Sequence, residues 1–243
     1  MAPTPAPMQE GLHRLRSPVG LSKAVVALLG AVIVTDVGAV AAGLNTRRVY
    51  ADIADGDPAS GAGGLVQRAE LLDERVYSLQ LLALMATAVV FIIWFRRVRL
   101  NAEVFDASQQ SMRPGWAIGS WFVPVGNLWL PRRVAAGIWT ASAQTNTDGS
   151  WRTVSRTPLN LWWTAWVLDW LFGRYASRNY EQAELWQDIV DAVGLTVASD
   201  ALDIVAAVLA IRFVRKLTAM QGERAALGAY PLREQLAAGP VPS

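Results

Sequence analysis

Four long apolar stretches constrain the fold of this chain more than any other feature of its sequence. At about 1.5 Å per residue, residues 21–44 are long enough to cross the roughly 30 Å hydrocarbon layer of a bilayer as a helix. Residues 77–95 and 189–214 have a similar character, and residues 159–175 form a shorter stretch of the same kind. The pattern therefore predicts an all-α protein, a polytopic bundle of transmembrane helices.

The composition supports a membrane protein and excludes several kinds of site. Of 243 residues, 53% are hydrophobic and only 17% are charged, whereas a soluble domain carries about 25% charged residues. The chain has no cysteine and one histidine, His13 in the N-terminal tail, which excludes disulfides and thiolate or histidine sites. Phosphate-loop and dinucleotide motifs are absent from the sequence. We therefore expect no metal, no cofactor and no nucleic-acid partner.

The distribution of arginine and lysine orients the predicted helices, because basic loops favour the cytoplasmic side of a membrane. Basic residues are concentrated before the first apolar stretch, in residues 96–157 and after residue 214. Residues 45–76 and 173–188 carry more acidic than basic residues and should lie outside. The first of these ranges is expected to form a polar loop that ends in an amphipathic stretch, residues 66–76. We therefore expect a multi-pass protein of a bacterial plasma membrane with both termini in the cytoplasm.

Residues 114–142 decide between four and five crossings. Five crossings would place basic residues outside, whereas four agree with the charge distribution if this segment enters and leaves on the same side. Its Pro and Gly residues break a regular helix, and irregular backbone at membrane depth is tolerated where protein buries it. The sequence favours four transmembrane helices plus a re-entrant or interfacial segment. The alternative is five transmembrane helices, the added one kinked by proline.

The two ends of the chain differ from its middle. Residues 1–20 are Pro-rich and basic, and we expect a disordered cytoplasmic tail there. Residues 21–221 should form one transmembrane domain, and residues 222–243 a mobile C-terminal tail. A cleaved signal peptide is the alternative for the first stretch, but its apolar core is too long for one and contains Asp36.

A block rich in Trp, Pro and Gly is the most specific motif of the chain. Residues 113–142 read RPGWAIGSWFVPVGNLWLPRRVAAGIWTAS. This block, with residues 162–163 and 214–221 after it, resembles the signature of the domain of unknown function 4328 family, membrane proteins found mostly in actinobacteria. The resemblance covers about residues 77–221 and implies a fold and a membrane location, but no biochemical activity. The residues that carry it are Arg96, Asn101, Pro114, Gly115, Trp116, Trp121, Phe122, Pro124, Asn127, Leu128, Trp129, Pro131 and Trp139.

Four carboxylates fall inside the predicted helices: Asp36, Asp169, Asp200 and Asp203. Each would cost about 2.5–3.5 kcal/mol at a lipid-facing helix centre, so we expect the four to face the interior of the bundle, to be neutralised or to pair. The spans contain no obvious basic partner. One interpretation is an acidic intramembrane pocket for a proton or a cationic ligand. The other is structural, with the carboxylates in interhelical hydrogen bonds or near the surface.

Aromatic and amide side chains suggest further sites. Trp162, Trp166 and Asp169 share a helix face, and indole rings beside a carboxylate could bind an organic cation. Such a stripe is more often packing or an interfacial belt. The side-chain amide of Asn127 is expected to hold backbone groups freed by the broken helix, with ligand binding as the alternative. Four tryptophans of the block should anchor it at the membrane interface: Trp116, Trp121, Trp129 and Trp139.

These features leave functions of different classes. A membrane accessory or interaction protein would use the Arg- and Trp-rich segment as a cytoplasmic platform for anionic lipid headgroups or a protein partner. A transporter or channel-like protein would use the four carboxylates to handle protons or small cations. A membrane enzyme comes third, because no nucleophile stands out and general acid–base chemistry could only use carboxylates.

Overall fold

The computed structural model describes residues 15–56, 64–143 and 154–237, with side chains described through residue 226. Over these ranges the chain forms helices and no strand, which confirms the all-α class. Most of the predicted N-terminal tail lies outside the described residues. The helices are α1 (Val19–Ala54), α2 (Leu65–Phe105), α3 (Trp116–Gly119), α4 (Leu130–Ala141), α5 (Thr157–Gln182) and α6 (Trp186–Ala237), with 3-10 turns at Ala107–Gln109 and Gly126–Leu128.

Three helices are long and apolar enough to cross a membrane: α1, α2, and α6 as far as Ala226. They contain three of the predicted spans and indicate a membrane protein. The fourth predicted span lies in α5, whose 26 residues extend about 39 Å. Trp residues together with Asn160 and Asp169 make α5 less apolar than the other three. The number of crossings therefore stays a prediction.

Helices α1 and α2 extend well beyond their predicted spans. Residues 45–54, predicted to belong to a polar loop, are helical, so that part of the prediction is wrong, whereas the predicted amphipathic stretch 66–76 lies in α2. A helix need not end at the membrane surface when neighbouring helices satisfy its polar side chains. Thr46 donates a hydrogen bond from Oγ1 to Asp73 at 2.7 Å, and the hydroxyl of Tyr50 donates to Glu70 at 3.1 Å. These bonds join the extensions of α1 and α2.

The chain divides into two compact units. The two-segment unit comprises residues 25–89 and 160–212, and the three-segment unit comprises residues 1–24, 90–159 and 213–243. The four predicted intramembrane carboxylates belong to the two-segment unit. The Trp- and Pro-rich block belongs to the three-segment unit.

Glycines allow close helix packing in the two-segment unit. A Cβ on Gly43 of α1 would lie 2.7 Å from Cγ2 of Val197 on α6, and one on Gly173 of α5 would lie 3.3 Å from Oγ of Ser199 on α6. In a membrane the hydrophobic effect does not drive helices together, so close backbone approach at small residues supplies the attraction. Helix α6 is therefore a common packing partner of α1 and α5.

Aromatic rings form the core of the three-segment unit. The ring of Trp139 stacks on Phe213 with centroids 5.9 Å apart, and Trp94 meets Phe213 edge-on at 5.9 Å. The indole Nε1 of buried Trp94 donates a hydrogen bond to Oγ1 of Thr218 at 3.2 Å. Packing of α4 against α2 and α6 in this unit thus depends on side chains from all three helices.

Candidate functional site

A glutamine bridges two carboxylates inside the two-segment unit. Gln80 of α2 donates from Nε2 to Oδ1 of Asp36 on α1 at 2.8 Å and to Oδ1 of Asp200 on α6 at 3.1 Å. Asp36 lies near the middle of α1 and is 0% exposed. One amide group therefore holds together acidic side chains that the sequence separates widely.

The second carboxylate oxygen of Asp36 is not satisfied. Its Oδ2 is buried and has no hydrogen-bond partner. Buried polar atoms are nearly always hydrogen-bonded, so an exception requires an explanation such as a bound water, ion or proton. A buried carboxylate without a counter-charge is strongly unfavourable. The environment of Asp36 thus favours the uptake of positive charge.

Asp169 and Asp203 complete this site. Asp169 of α5 lies within electrostatic range of Asp36, Asp200 and Asp203, and Asp36 lies within range of Asp200 and Asp203. Among the residues that the structure describes, none of the four carboxylates forms an ion pair with arginine or lysine. The acid cluster, defined as Asp36, Gln80, Asp169, Asp200 and Asp203, therefore combines four carboxyl groups with one amide donor. Its members come from α1, α2, α5 and α6.

Sequence reasoning identified the four carboxylates and missed Gln80. The structure brings the carboxylates together, and Gln80 is the side chain that connects two of them. The missed signal was an amide inside the apolar stretch 77–95, where a polar group needs a partner. In the described part of the chain, no group of three acidic or histidine side chains is arranged to hold a metal ion.

The Trp stripe of α5 packs against itself. The ring of Trp163 lies 5.6 Å from that of Trp162 and 4.9 Å from that of Trp166, measured between centroids. Trp162 is buried. These contacts favour packing over an open aromatic cage for an organic cation.

A buried hydrogen-bond network surrounds Asn101 in the three-segment unit. Oδ1 of Asn101 accepts from the backbone N–H of Arg16 at 3.2 Å, and Nδ2 donates to the Arg16 carbonyl at 2.9 Å and to Oε1 of Gln221 at 3.1 Å. Gln221 is 1% exposed and donates to the Val98 carbonyl at 2.8 Å and to Oγ of Ser142 at 3.2 Å. Asn101 and Gln221 therefore tie the chain before α1 to α2, α4 and α6.

A buried arginine holds the start of the block. Arg99 donates to the Met112 carbonyl at 2.7 Å and pairs with Glu103 at 3.1 Å. Its side chain is buried, whereas that of Arg96, three residues earlier on α2, is exposed. Of these two arginines, only Arg99 fixes the chain that leads into the Trp- and Pro-rich residues.

The Pro and Gly residues of the block break the helix, as the sequence predicts. Helix α3 has only 4 residues, and α4, with 12 residues, is about 18 Å long. Neither reaches the roughly 30 Å of a hydrocarbon layer, so residues 114–142 contain no helix long enough for a fifth crossing. A Cβ on Gly126 would lie 2.8 Å from Cγ1 of Val123 and 2.9 Å from Cδ1 of Leu130, so only glycine fits there.

Several block residues are part of the protein core. Trp139 is 1% exposed and stacks on Phe213, so the prediction that it anchors the chain at a membrane interface is wrong. Trp121 packs edge-on against aromatic rings of α2. The side-chain oxygen of Asn127 is buried without a hydrogen-bond partner, so this oxygen accepts no hydrogen bond from the freed backbone N–H groups. Pro131 is buried in the first turn of α4.

Other block residues expose large apolar side chains. Phe122 is 70% exposed, Val125 67% and Trp129 55%. We call these three residues the apolar tip. Arg132 and Arg133, in the first turn of α4, are exposed close to it in sequence. Of the remaining predicted block residues, Trp116, Gly115 and Pro124 are exposed, and Pro114 is partly buried.

Comparison with known proteins gives one match. The model of a family described as a domain of unknown function (DUF4328) matches residues 57–219, more than half of the chain. No curated protein and no solved structure matches the chain. The matched range contains the block and four members of the acid cluster, whereas Asp36 and Gln221 lie outside it.

Proposed function

Because this chain belongs to the DUF4328 family and three of its helices are long and apolar enough to cross a membrane, we propose that it is an integral membrane protein that takes up a proton or a small cation at the acid cluster. The observation that carries the proposal is Asp36. Its side chain is fully buried. Oδ1 accepts a hydrogen bond from Gln80, and Oδ2 has no hydrogen-bond partner.

Electrostatics favours a positively charged ligand at this site. Attraction between charges is stronger away from water, because the surroundings screen it less. The four carboxylates come from three helices, α1, α5 and α6, and Gln80 offers only one amide group to two of them. Intramembrane acidic residues commonly mark the path of an ion or a proton. Binding of a proton or a small monovalent cation would reduce the negative charge of the cluster.

Flux through reconstituted vesicles tests the proposal. Purified protein is placed in vesicles with a pH gradient, a sodium gradient or a potassium gradient, and ion movement is followed with a fluorescent indicator for each ion. We expect flux of one of these ions in the wild type and its loss in Asp36→Asn and Asp200→Asn. Asp191→Asn is the matched control, since Asp191 is an exposed acid on the same helix as Asp200.

Two results would contradict the proposal. One is a folded, monodisperse wild type without flux of any of the three ions. The other is unchanged flux in both cluster variants. The gradient that drives flux identifies the ion, because a proton site responds to the pH gradient in the absence of sodium and potassium gradients.

A membrane accessory or interaction protein is the second candidate. The observation in its favour is the apolar tip beside Arg132 and Arg133, which together would form a cytoplasmic platform. A photoreactive amino acid in place of Trp129 should then give a defined crosslinked product in cells, and Arg132→Gln with Arg133→Gln should reduce its yield. Absence of any crosslinked lipid or protein would eliminate this candidate.

A further inference from the structure

The apolar tip has properties that folding of the chain does not explain. Its three side chains contribute little to the interior, since more than half of each is exposed. They lie within eight residues of one another, on the irregular backbone between α3 and α4. Large apolar side chains that cluster at an exposed site usually mark a contact with another apolar phase.

The backbone at Val125 strengthens this argument. Val125 has φ 61°, and it is the one non-glycine residue with positive φ in the described part of the chain. A β-branched residue in this region is strained, and glycine would adopt the conformation readily. Strained residues concentrate at functional segments, where the side chain serves a purpose that outweighs its cost. The side chain of Val125 is mostly exposed and is therefore available for contact outside the protein.

Two exposed arginines lie beside the tip in sequence and add positive charge there. Arg132 and Arg133 lie in the first turn of α4, where the positive end of the helix dipole disfavours cations. Both are exposed. An anionic surface next to the tip would attract the two guanidinium groups.

We infer that the apolar tip, Phe122, Val125 and Trp129, inserts into the boundary between headgroups and acyl chains of an anionic bilayer, with Arg132 and Arg133 against the lipid phosphates. The inference rests on the second candidate function, for which it selects lipid as the occupant. Trp favours the headgroup layer, Phe and Val favour the acyl boundary, and Arg favours anionic lipid. The three helices that are long and apolar enough to cross a membrane would hold the chain at a bilayer.

Probe quenching in nanodiscs tests the inference, and the absence of cysteine from the chain makes single labelling simple. Phe122→Cys and Val125→Cys are labelled with an environment-sensitive fluorophore. The label is then quenched either by lipids spin-labelled near the headgroup or by aqueous iodide. Ser108→Cys is the water-exposed control in the same unit, and Leu82→Cys is an exposed apolar position on α2.

We expect the lipid quencher to act on both tip labels several-fold more strongly than on the Ser108 label, with iodide showing the opposite order. Addition of phosphatidylglycerol should move the tip labels deeper into the bilayer, which increases their quenching by the lipid quencher. The double variant Arg132→Gln with Arg133→Gln should remove that response. Elution profile and thermal unfolding verify that each variant is folded.

Other outcomes would overturn the inference. Iodide quenching of both tip labels as strong as that of the Ser108 label would place the tip in water. Protection that requires two protein copies in one disc would assign the tip to a second copy of the chain, and protection that requires cell extract would assign it to a protein partner. If a protein partner covers the tip, the accessory function is retained and the lipid inference is wrong. If the tip lies in water and gives no crosslinked product, both are wrong.

Discussion

Replacing Gln221 with Met separates the hydrogen bonds of the buried network from its packing, because the two side chains have similar volumes. Gln221 makes three hydrogen bonds, to Val98, Ser142 and Asn101, and is 1% exposed. At about 0.5–1.5 kcal/mol net for each bond, Gln221→Met should lower the free energy of unfolding by about 2–4 kcal/mol. Gln221→Ala should cost about 1–2 kcal/mol more, because it also leaves a cavity.

Reversible unfolding in mixed micelles, followed by Trp fluorescence, measures this loss, since Trp94 and Trp139 lie in the core of the same unit. A change of about 2–4 kcal/mol corresponds to a fall in Tm of roughly 5–15 °C for a chain of this size. Gln187→Met makes the same chemical change at an exposed position of α6 and should leave stability unchanged. If Gln221→Met stayed within about 0.5 kcal/mol of the wild type, the network would not stabilise the fold.

Three further substitutions test local packing and backbone strain, each through the free energy of unfolding in detergent. Arg99→Met removes a charge-assisted hydrogen bond and should cost about 1.5–3 kcal/mol, whereas Arg96→Met at an exposed position should cost less than about 0.5 kcal/mol. Gly43→Ala places a Cβ 2.7 Å from a neighbouring side chain and should cost about 1–3 kcal/mol. Its control Gly30→Ala meets open space and should be neutral or stabilising. Val125→Gly relieves the strain of a positive φ and should stabilise the fold by about 1 kcal/mol; an equal loss would show that the Val125 side chain packs inside the protein.

The all-α class and the three apolar helices could be predicted from sequence because both depend on local patterns. Apolar length determines whether a helix can cross a bilayer, and Pro and Gly determine where it breaks. Helix ends could not be predicted in the same way. The extensions of α1 through residues 45–54 and of α2 through residues 65–76 depend on hydrogen bonds such as that from Tyr50 to Glu70. The sequence of either helix alone does not determine such a pairing.

Side-chain pairing also explains what sequence reasoning missed in the acid cluster. A carboxylate in an apolar stretch is recognisable from its desolvation cost, and this cost identified Asp36, Asp169, Asp200 and Asp203. An amide costs less to bury than a carboxylate, so the burial cost does not distinguish Gln80 as a candidate site residue. Its importance lies in its contacts with Asp36, 44 residues away, and Asp200, 120 residues away. Contacts between residues so far apart in the sequence are visible only in the tertiary structure.

Burial separates the residues of the Trp- and Pro-rich block into two groups that require different experiments. Trp139 stacks on Phe213 and Pro131 is buried, so their replacement would perturb the fold and any activity together. Phe122 and Trp129 are mostly exposed, and their replacement removes little internal contact. A loss of binding in variants of the first group would therefore be ambiguous. The same loss in a folded Phe122 or Trp129 variant would have to arise from a contact outside the chain, because packing inside it hardly changes.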